Sequence, residues 1–140
     1  MVNLDDLFKD RKLRKIYPDL DKSHQSVKIS QNKLMESKKL IESNFYEQSV
    51  LSAYTSMFHI ARALLYKDGV QEKSHYAVYI YLKDKYNHLI STKSLQSFLS
   101  HQLERKDILY GFDYSVNKEE AESCIQDAEV FFNEIKELLT

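Results

Sequence analysis

The chain has 140 residues, of which 43% are hydrophobic and 29% are charged, with a formal net charge of −1. This length suits one domain with a single core, and the composition is that of an ordinary soluble globular protein. Only two glycines and one proline are present, which argues against an all-β protein with its many turns and predicts long helices.

Targeting and metal-binding signals are missing from the sequence. No apolar run is long enough to span a bilayer, and the first residues, "MVNLDDLFKDRKLRK", lack the apolar segment of a signal peptide. Cys124 is the only cysteine, so no intramolecular disulfide and no thiolate cluster for zinc is expected. The sequence therefore predicts a cytoplasmic protein without membrane contact, bound metal or cofactor.

Basic residues concentrate toward the start of the chain. The segment "KDRKLRK", Lys9 to Lys15, is the densest basic cluster, whereas residues 118–140 carry two lysines against seven acidic residues. Such asymmetry is typical either of a surface for nucleic acid or an acidic partner, or of solvated helix faces. We predict an N-terminal basic extension or short helix over residues 1–17 and a single helical domain over residues 18–140.

The first long helix is predicted to begin after Pro18 and to end at about Ser43. Large apolar residues recur in it every seven positions, and a serine follows each of the first three at a distance of three residues. The large residues are Leu20, Val27, Leu34 and Ile41, and the serines are Ser23, Ser30 and Ser37. This pattern predicts a seam that lets a neighbouring helix approach closely.

The second and third helices have readable ends. The tetrapeptide "NFYE", Asn44 to Glu47, resembles a capping box and predicts the start of the most apolar helix, which Gly69 should terminate. Ser74 is then expected to cap a third helix that continues to about Asn87.

Two further helices complete the predicted fold. One follows "STKS" and ends near Gly111, and the last begins at a second capping-box pattern, "NKEE", Asn117 to Glu120. Short connections between helices of this length imply antiparallel neighbours. The predicted fold class is therefore all-α, an antiparallel up-and-down bundle of four to five helices.

The stretch "YTSMFHIARALLYKDGVQEKSHYAVYIYL" carries a family resemblance. Its characteristic residues are Tyr54, Met57, Phe58, His59, Ala61, Arg62, Gly69, Lys73 and His75. A later pattern runs through Arg105, Asp113 and Tyr114 into the final helix. In this order and spacing the chain resembles the HEPN domains (higher eukaryotes and prokaryotes nucleotide-binding) over about residues 18–138.

The resemblance carries expectations about fold and partners. It implies a four-to-five-helix bundle that forms a homodimer. It also implies a protein partner of the minimal nucleotidyltransferase type in a toxin–antitoxin system, and nucleotide or RNA as candidate ligands. Active members of the family cut RNA without metal through an Arg-x4–6-His motif near the end of the fourth helix.

The nuclease motif is incomplete in this chain. Arg105 is followed at the expected distance by Tyr110, and no histidine occurs after His101. Tyrosine, with an ordinary pKa of about 10, is a poor general base at neutral pH. His101 lies four residues before Arg105, so the two side chains could share a helical face. The candidate catalytic residues are therefore Arg105 with Tyr110 or His101.

Two functions follow from this departure, and a purely structural helical protein, without nucleotide binding or a stable partner, is a third interpretation. The first is a binding and interaction module that lacks catalysis, and the alternative is a metal-independent endoribonuclease toxin. The candidate ligand-binding residues are Lys73, His75, Arg105, Tyr114 and Tyr54. Lys73 and His75 lie where a helix begins, so their charge and the exposed N–H groups suit a phosphate. A simple helix cap beside a solvated lysine is the other interpretation of that pair.

Overall fold

The structure, a computed structural model, describes residues 2–140. Over those residues it contains six helices and one two-stranded sheet. The helices are α1 (Leu4–Lys9), α2 (Leu20–Glu42), α3 (Tyr46–Asp68), α4 (His75–Lys85), α5 (Thr92–Tyr110) and α6 (Lys118–Leu139). The strands are β1 (Leu13–Lys15) and β2 (Val70–Glu72). The prediction of an all-α helical bundle is confirmed.

The serine seam of α2 packs against α3. Ser23 Oγ donates a hydrogen bond of 2.8 Å to the Ala63 carbonyl, and Ser30 Oγ donates one of 2.6 Å to the Ser56 carbonyl. Small side chains let the two backbones approach closely enough for these bonds. The predicted seam differs at its first position, because Leu20 is 58% exposed.

Helix α3 is the central helix of the bundle. It packs against α2, α4, α5 and α6, and its core side chains are almost completely buried. Gly69 ends it with a φ of 81°, and its N–H bonds back to the Tyr66 carbonyl. A Cβ at this glycine would lie 2.7 Å from the Ile16 carbonyl oxygen, so both the backbone angle and the close approach require glycine.

The predicted capping box at the start of α3 is wrong. The N-cap residue is Phe45, and no side chain caps the helix. Asn44 instead adopts a left-handed φ of 65°, and its Oδ1 accepts a hydrogen bond from the Tyr46 hydroxyl. Asparagine is one of the few residues that tolerate this conformation, so the tight turn between α2 and α3 uses Asn44 as a turn residue.

The sequence reading did not predict the small antiparallel sheet. Strand β1 pairs with β2 in the register Leu13↔Glu72, Arg14↔Gln71 and Lys15↔Val70. Leu13 is buried, as is Leu7 of α1. The strand pair thereby attaches the segment before α2 to the connection between α3 and α4. The next helix, α4, begins at His75.

The caps of α4 and α6 agree with their predictions, whereas α5 begins earlier than predicted, at Thr92 within "STKS", because Ser91 is its N-cap. Ser74 Oγ accepts from the Ala77 N–H, and Asn117 with Glu120 forms the predicted capping box. Helix α5 ends one residue before Gly111. None of the helices among residues 2–140 combines the length and apolar character that a membrane crossing requires.

Candidate functional site

His75, the first residue of α4, lies against two aromatic residues of α3. The Tyr54 hydroxyl and His75 Nδ1 are 2.8 Å apart in a hydrogen bond. The Phe58 ring stacks on the imidazole with a centroid distance of 4.2 Å. Ser74, as N-cap, fixes where α4 begins and so presents His75 to α3. These contacts hold the half-buried imidazole in one orientation.

Gln102 of α5 completes the support for this histidine. Its Nε2 donates to the His75 carbonyl at 3.0 Å and to the Tyr54 hydroxyl at 3.3 Å. The Gln102 side chain is almost completely buried, so its amide is bonded where an unpaired polar group would be costly. Helices α3, α4 and α5 therefore meet at one hydrogen-bonded group.

Arg105 lies one helical turn after Gln102, on the same side of α5. It is half-buried, and no carboxylate of residues 2–140 lies within ion-pair distance of its guanidinium. Its charge acts on the pKa values of both Tyr54 and His75. We call the group formed by Tyr54, Phe58, His75, Gln102 and Arg105 the His75 cleft, a name that stands for these side chains and not for a measured cavity.

The electrostatics of the His75 cleft keep its histidine neutral. The pKa of His75 is lowered to about 4. Burial is the largest cause, and the charges of Arg105, Lys106, His59 and Arg62 add to it. Because the imidazole stays neutral and carries no negative charge, it does not balance the positive charge of the cations around it. Burial also raises the pKa of Tyr54, which stays protonated at neutral pH.

Two buried polar atoms near this cleft, His59 Nδ1 and Glu72 Oε2, lack a hydrogen-bond partner among residues 2–140. Arg62 Nε lies 3.0 Å from Glu72 Oε1 as an ion pair, and Arg62 Nη2 donates to the Tyr66 hydroxyl at 2.6 Å. Native proteins leave few buried polar atoms unsatisfied, so each of the two needs a specific cause.

A second polar group lies on another side of α5. His101 Nδ1 is 3.0 Å from Glu104 Oε1, and His101 Nε2 is 2.8 Å from Asp127 Oδ2 on α6. The Tyr114 hydroxyl donates to Glu104 Oε2 at 2.9 Å. The buried Cys124 thiol lies beside them, with its Sγ within 4.8 Å of a His101 ring nitrogen. We call this group, His101, Glu104, Tyr114, Cys124 and Asp127, the His101 cluster.

The two carboxylates of this cluster require a charged imidazole. Burial alone would lower the pKa of His101, but its neighbours Cys124, Glu104 and Asp127 outweigh burial and raise it. Both ring nitrogens then donate to acceptors, so the imidazolium has no free nitrogen with which to accept a proton. This geometry argues against His101 as a general base that works with Arg105.

The remaining candidates from the sequence separate in space. Tyr110 is 74% exposed at the end of α5, and the neighbouring Phe112 is fully exposed. Tyr114 belongs to the His101 cluster instead of the His75 cleft. Lys73 is exposed just before α4. Of the sequence-based candidates, Tyr54, His75 and Arg105 are brought together.

Lys73 borders an open cavity of about 280 Å³ beside the two-stranded sheet. The cavity is lined by Phe8, Arg11, Leu13, Arg14, Lys15 and Lys73. Four of these six side chains are cationic, so the basic segment that the sequence shows at Lys9 to Lys15 faces Lys73 across the strand pair. Only the sheet register brings these residues together.

Sequence reasoning missed some residues of both groups. Gln102 carried no signal, because a buried glutamine is recognised only by the partners that its amide contacts. His101 and Glu104, and Cys124 and Asp127, each stand three residues apart, a spacing that places two side chains on one helical face. That pair of spacings was a usable signal for the His101 cluster.

Similarity to other proteins extends over most of the chain. A protein of Methanocaldococcus jannaschii named "Putative toxin MJ0605" is 31% identical over 126 residues, covering 81% of this chain and 85% of that protein. A second protein of that organism, "Putative toxin MJ0142", is 29% identical, with 92% and 82% covered. A "UPF0332 protein" of Archaeoglobus fulgidus is 27% identical, with 84% and 94% covered.

The family match covers the helical bundle. The family model described as HEPN domain matches residues 23–138, which include all of α3 to α5, the helices that carry the His75 cleft. The resemblance noted at Tyr54 to His75 is thereby confirmed over most of the sequence. The chain belongs to the HEPN domain family.

Proposed function

We propose that this protein is the HEPN half of a toxin–antitoxin-type pair and binds a phosphate-bearing ligand, a nucleotide or RNA, in the His75 cleft. One observation carries the proposal: the half-buried guanidinium of Arg105 has no carboxylate partner among residues 2–140, and its charge helps to keep His75 neutral. A half-buried arginine without a carboxylate partner suits recognition of phosphate oxygens.

The charge balance favours an anion in this cleft. Arg105, Lys106 and Arg62 each disfavour protonation of His75. A bound phosphate would reverse that effect, because an opposite charge favours the charged form of a histidine. His75 can then take up a proton and add a second charge-assisted hydrogen bond to the ligand. Binding would therefore be coupled to proton uptake.

The basic cavity beside the sheet favours RNA over a free nucleotide. Lys73 stands two residues before His75 and borders the cavity that also holds Arg11, Arg14 and Lys15. Successive phosphates of a single strand can be contacted by such a row of cations, and sequence-independent binding of this kind weakens with salt. Exposed Tyr76, at 43% exposure, adds an aromatic surface on which a base can stack.

The protein partners belong to the same proposal. We expect a homodimer and a nucleotidyltransferase-type protein as the antitoxin, because the family resemblance implies both and two relatives carry the name toxin. Light scattering of the purified chain tests the homodimer. Co-expression with nucleotidyltransferase genes from the same genomic neighbourhood, followed by co-purification, tests the second partner.

A binding measurement tests the cleft. Fluorescence anisotropy of a labelled single-stranded RNA should give an affinity that falls about 10- to 100-fold in Arg105→Ala, the range expected for one lost charge-assisted phosphate contact. Lys39→Ala removes one charge from an exposed position of α2 and is the matched control. Equal affinities for Arg105→Ala and the wild type would reject the cleft as the binding site, and competition with ATP separates nucleotide from RNA binding.

A second candidate function is metal-independent endoribonuclease activity. The observation that favours it is His75 itself: Arg105 has a neutral imidazole near it, although the sequence motif lacks its histidine. To test this function, labelled RNA is incubated in EDTA with the wild type, with Arg105→Ala or with His75→Gln, each in a separate reaction. If the wild type cleaves the RNA and both substitutions abolish cleavage, the protein is an endoribonuclease. If folded wild-type protein leaves the RNA intact, the function is binding without catalysis.

A further inference from the structure

The His101 cluster joins two helices through side chains that are typical metal ligands. His101 and Glu104 lie one turn apart on α5, and Cys124 lies opposite them on α6. One ligand atom of each, an imidazole nitrogen, a carboxylate oxygen and the thiol sulfur, lies within 4.8 Å of the other two. In a tetrahedral zinc site, ligand atoms are about 3.4 to 3.8 Å apart, so small side-chain rotations would complete the geometry.

We propose that His101 Nδ1, a Glu104 carboxylate oxygen and Cys124 Sγ bind a divalent transition-metal ion of the zinc class. His101 Nδ1 is the nitrogen assigned because Glu104 Oε1 lies only 3.0 Å from it. Thiolate and imidazole ligands select zinc-like ions over Mg²⁺ and Ca²⁺, which prefer oxygen. Three protein ligands leave a fourth position for water.

The residues around these three ligands match the outer shell of a metal site. Asp127 Oδ2 lies 2.8 Å from His101 Nε2, the ring nitrogen that faces away from Glu104. Metal-binding histidines commonly donate their second N–H to a carboxylate in this way, which fixes the tautomer and the ring orientation. The Tyr114 hydroxyl likewise donates to Glu104 Oε2 and leaves Oε1 for the ion.

Burial and access also suit a metal ion. Cys124 is completely buried, whereas the side chains of His101 and Glu104 are 13% and 17% exposed. The ion therefore has a route from solvent past the two α5 ligands to the thiol. On binding, the metal–sulfur and metal–nitrogen bonds replace the S–H bond of Cys124 and the Nδ1–H bond of His101, and two protons pass to solvent.

A bound ion would connect α5 to α6 next to the His75 cleft. Glu104 precedes Arg105 in the chain, so a metal bond at Glu104 would restrain the helical turn that carries the Arg105 side chain. The consequence is greater thermal stability. When free Zn²⁺ is 100 times its Kd, the Tm of a domain of this size should rise by about 5–10 °C.

Cobalt spectroscopy gives a direct test, because Cys124 is the only cysteine in the chain. The full-length protein is treated with EDTA, exchanged into chelator-free buffer and titrated with Co²⁺. A near-ultraviolet sulfur-to-cobalt charge-transfer band should appear at one equivalent. This band should be absent in Cys124→Ser and unchanged in His24→Gln, which removes an exposed histidine of α2.

Two further variants keep the test decisive if Cys124→Ser does not fold. Glu104→Gln removes a ligand charge without changing side-chain shape, and Asp127→Asn removes the outer-shell carboxylate. Asp127→Asn should weaken Co²⁺ binding about 10- to 100-fold, and Glu104→Gln should weaken it at least as much. A wild-type protein that shows no charge-transfer band, or Co²⁺ affinity that neither variant alters, would overturn the proposal.

Discussion

The two polar groups on α5 place similar residues under opposite electrostatic conditions. In the His75 cleft, burial and the surrounding cations lower the pKa of His75 to about 4, so its imidazole is neutral. In the His101 cluster, Glu104 and Asp127 accept from both ring nitrogens and the pKa of His101 is raised. The charge state of each histidine is therefore set by its neighbours on adjacent helices and not by the residue type alone.

The same contrast separates structural from ligand-binding charge. The positive charge of His101 is balanced inside the protein by two carboxylates. That of Arg105 is balanced by no carboxylate of residues 2–140. Internal ion pairs can hold a fold together, whereas a half-buried cation without a carboxylate partner is available to a ligand. Four substitutions test this division.

The largest effect is expected for His101→Gln. The substitution removes the cation between Glu104 and Asp127 and leaves two partly buried carboxylates without a cationic partner. We expect a loss of about 3 kcal/mol in the free energy of unfolding, measured by urea denaturation. His75→Gln, the matched change in the other group, should cost about 1 kcal/mol or less. Equal losses of unfolding free energy in the two variants would contradict the proposed difference between the two groups.

Gln102→Ala should give the next largest effect. Its amide donates to the Tyr54 hydroxyl and to the His75 carbonyl inside the core. Truncation leaves both acceptors without this donor and creates a cavity, so we expect a loss of about 2 kcal/mol in unfolding free energy. Gln96→Ala, at an exposed position of the same helix, is the control. A neutral result for Gln102→Ala would mean that the cleft does not depend on this bridge.

Arg105→Ala should change the titration of one histidine and not of the other. Removing the guanidinium takes away a cause of the lowered pKa of His75, whose pKa should therefore rise toward 6.5. The pKa of His101 should stay high, because its carboxylate partners remain. NMR titration of the histidine ring protons measures both values in one sample. A His75 pKa that does not move would show that Arg105 is not part of the cleft.

The last test of this division is the dependence of stability on pH. The folded-state pKa of His75 is about 4 and its ordinary value is 6.5, so its neutral form stabilises the fold fully above pH 6.5. That contribution is lost as the pH falls from 6.5 toward 4, because the unfolded chain then binds the extra proton. Wild-type stability should therefore fall toward acid pH while that of His75→Gln does not, so the difference in unfolding free energy between them should decrease and reverse its sign by about pH 4. A difference that stays constant from pH 7 to pH 4 would contradict the lowered pKa.

Local sequence patterns predicted most of the helices and their ends. Ser74, Asn117 and Gly69 were assigned correctly because a cap is decided by residues within three or four positions of it. Asn44 was assigned wrongly because the same side chain suits an N-cap and a left-handed turn, and the packing of α2 on α3 selected the turn. The β1–β2 pair joins residues more than fifty positions apart, and a three-residue strand carries no pattern that reveals its partner.

The sequence by itself determined the bundle and the positions of the candidate residues along it, because helical periodicity and capping are local. It also determined the incomplete nuclease motif, since Tyr110 stands where a histidine was expected. Only the tertiary structure decided that the charge of Arg105 acts on His75 while His101 contacts Asp127. The physical reason is that the charge of a histidine depends on burial and on groups within a few ångströms, which here come from helices distant in the chain.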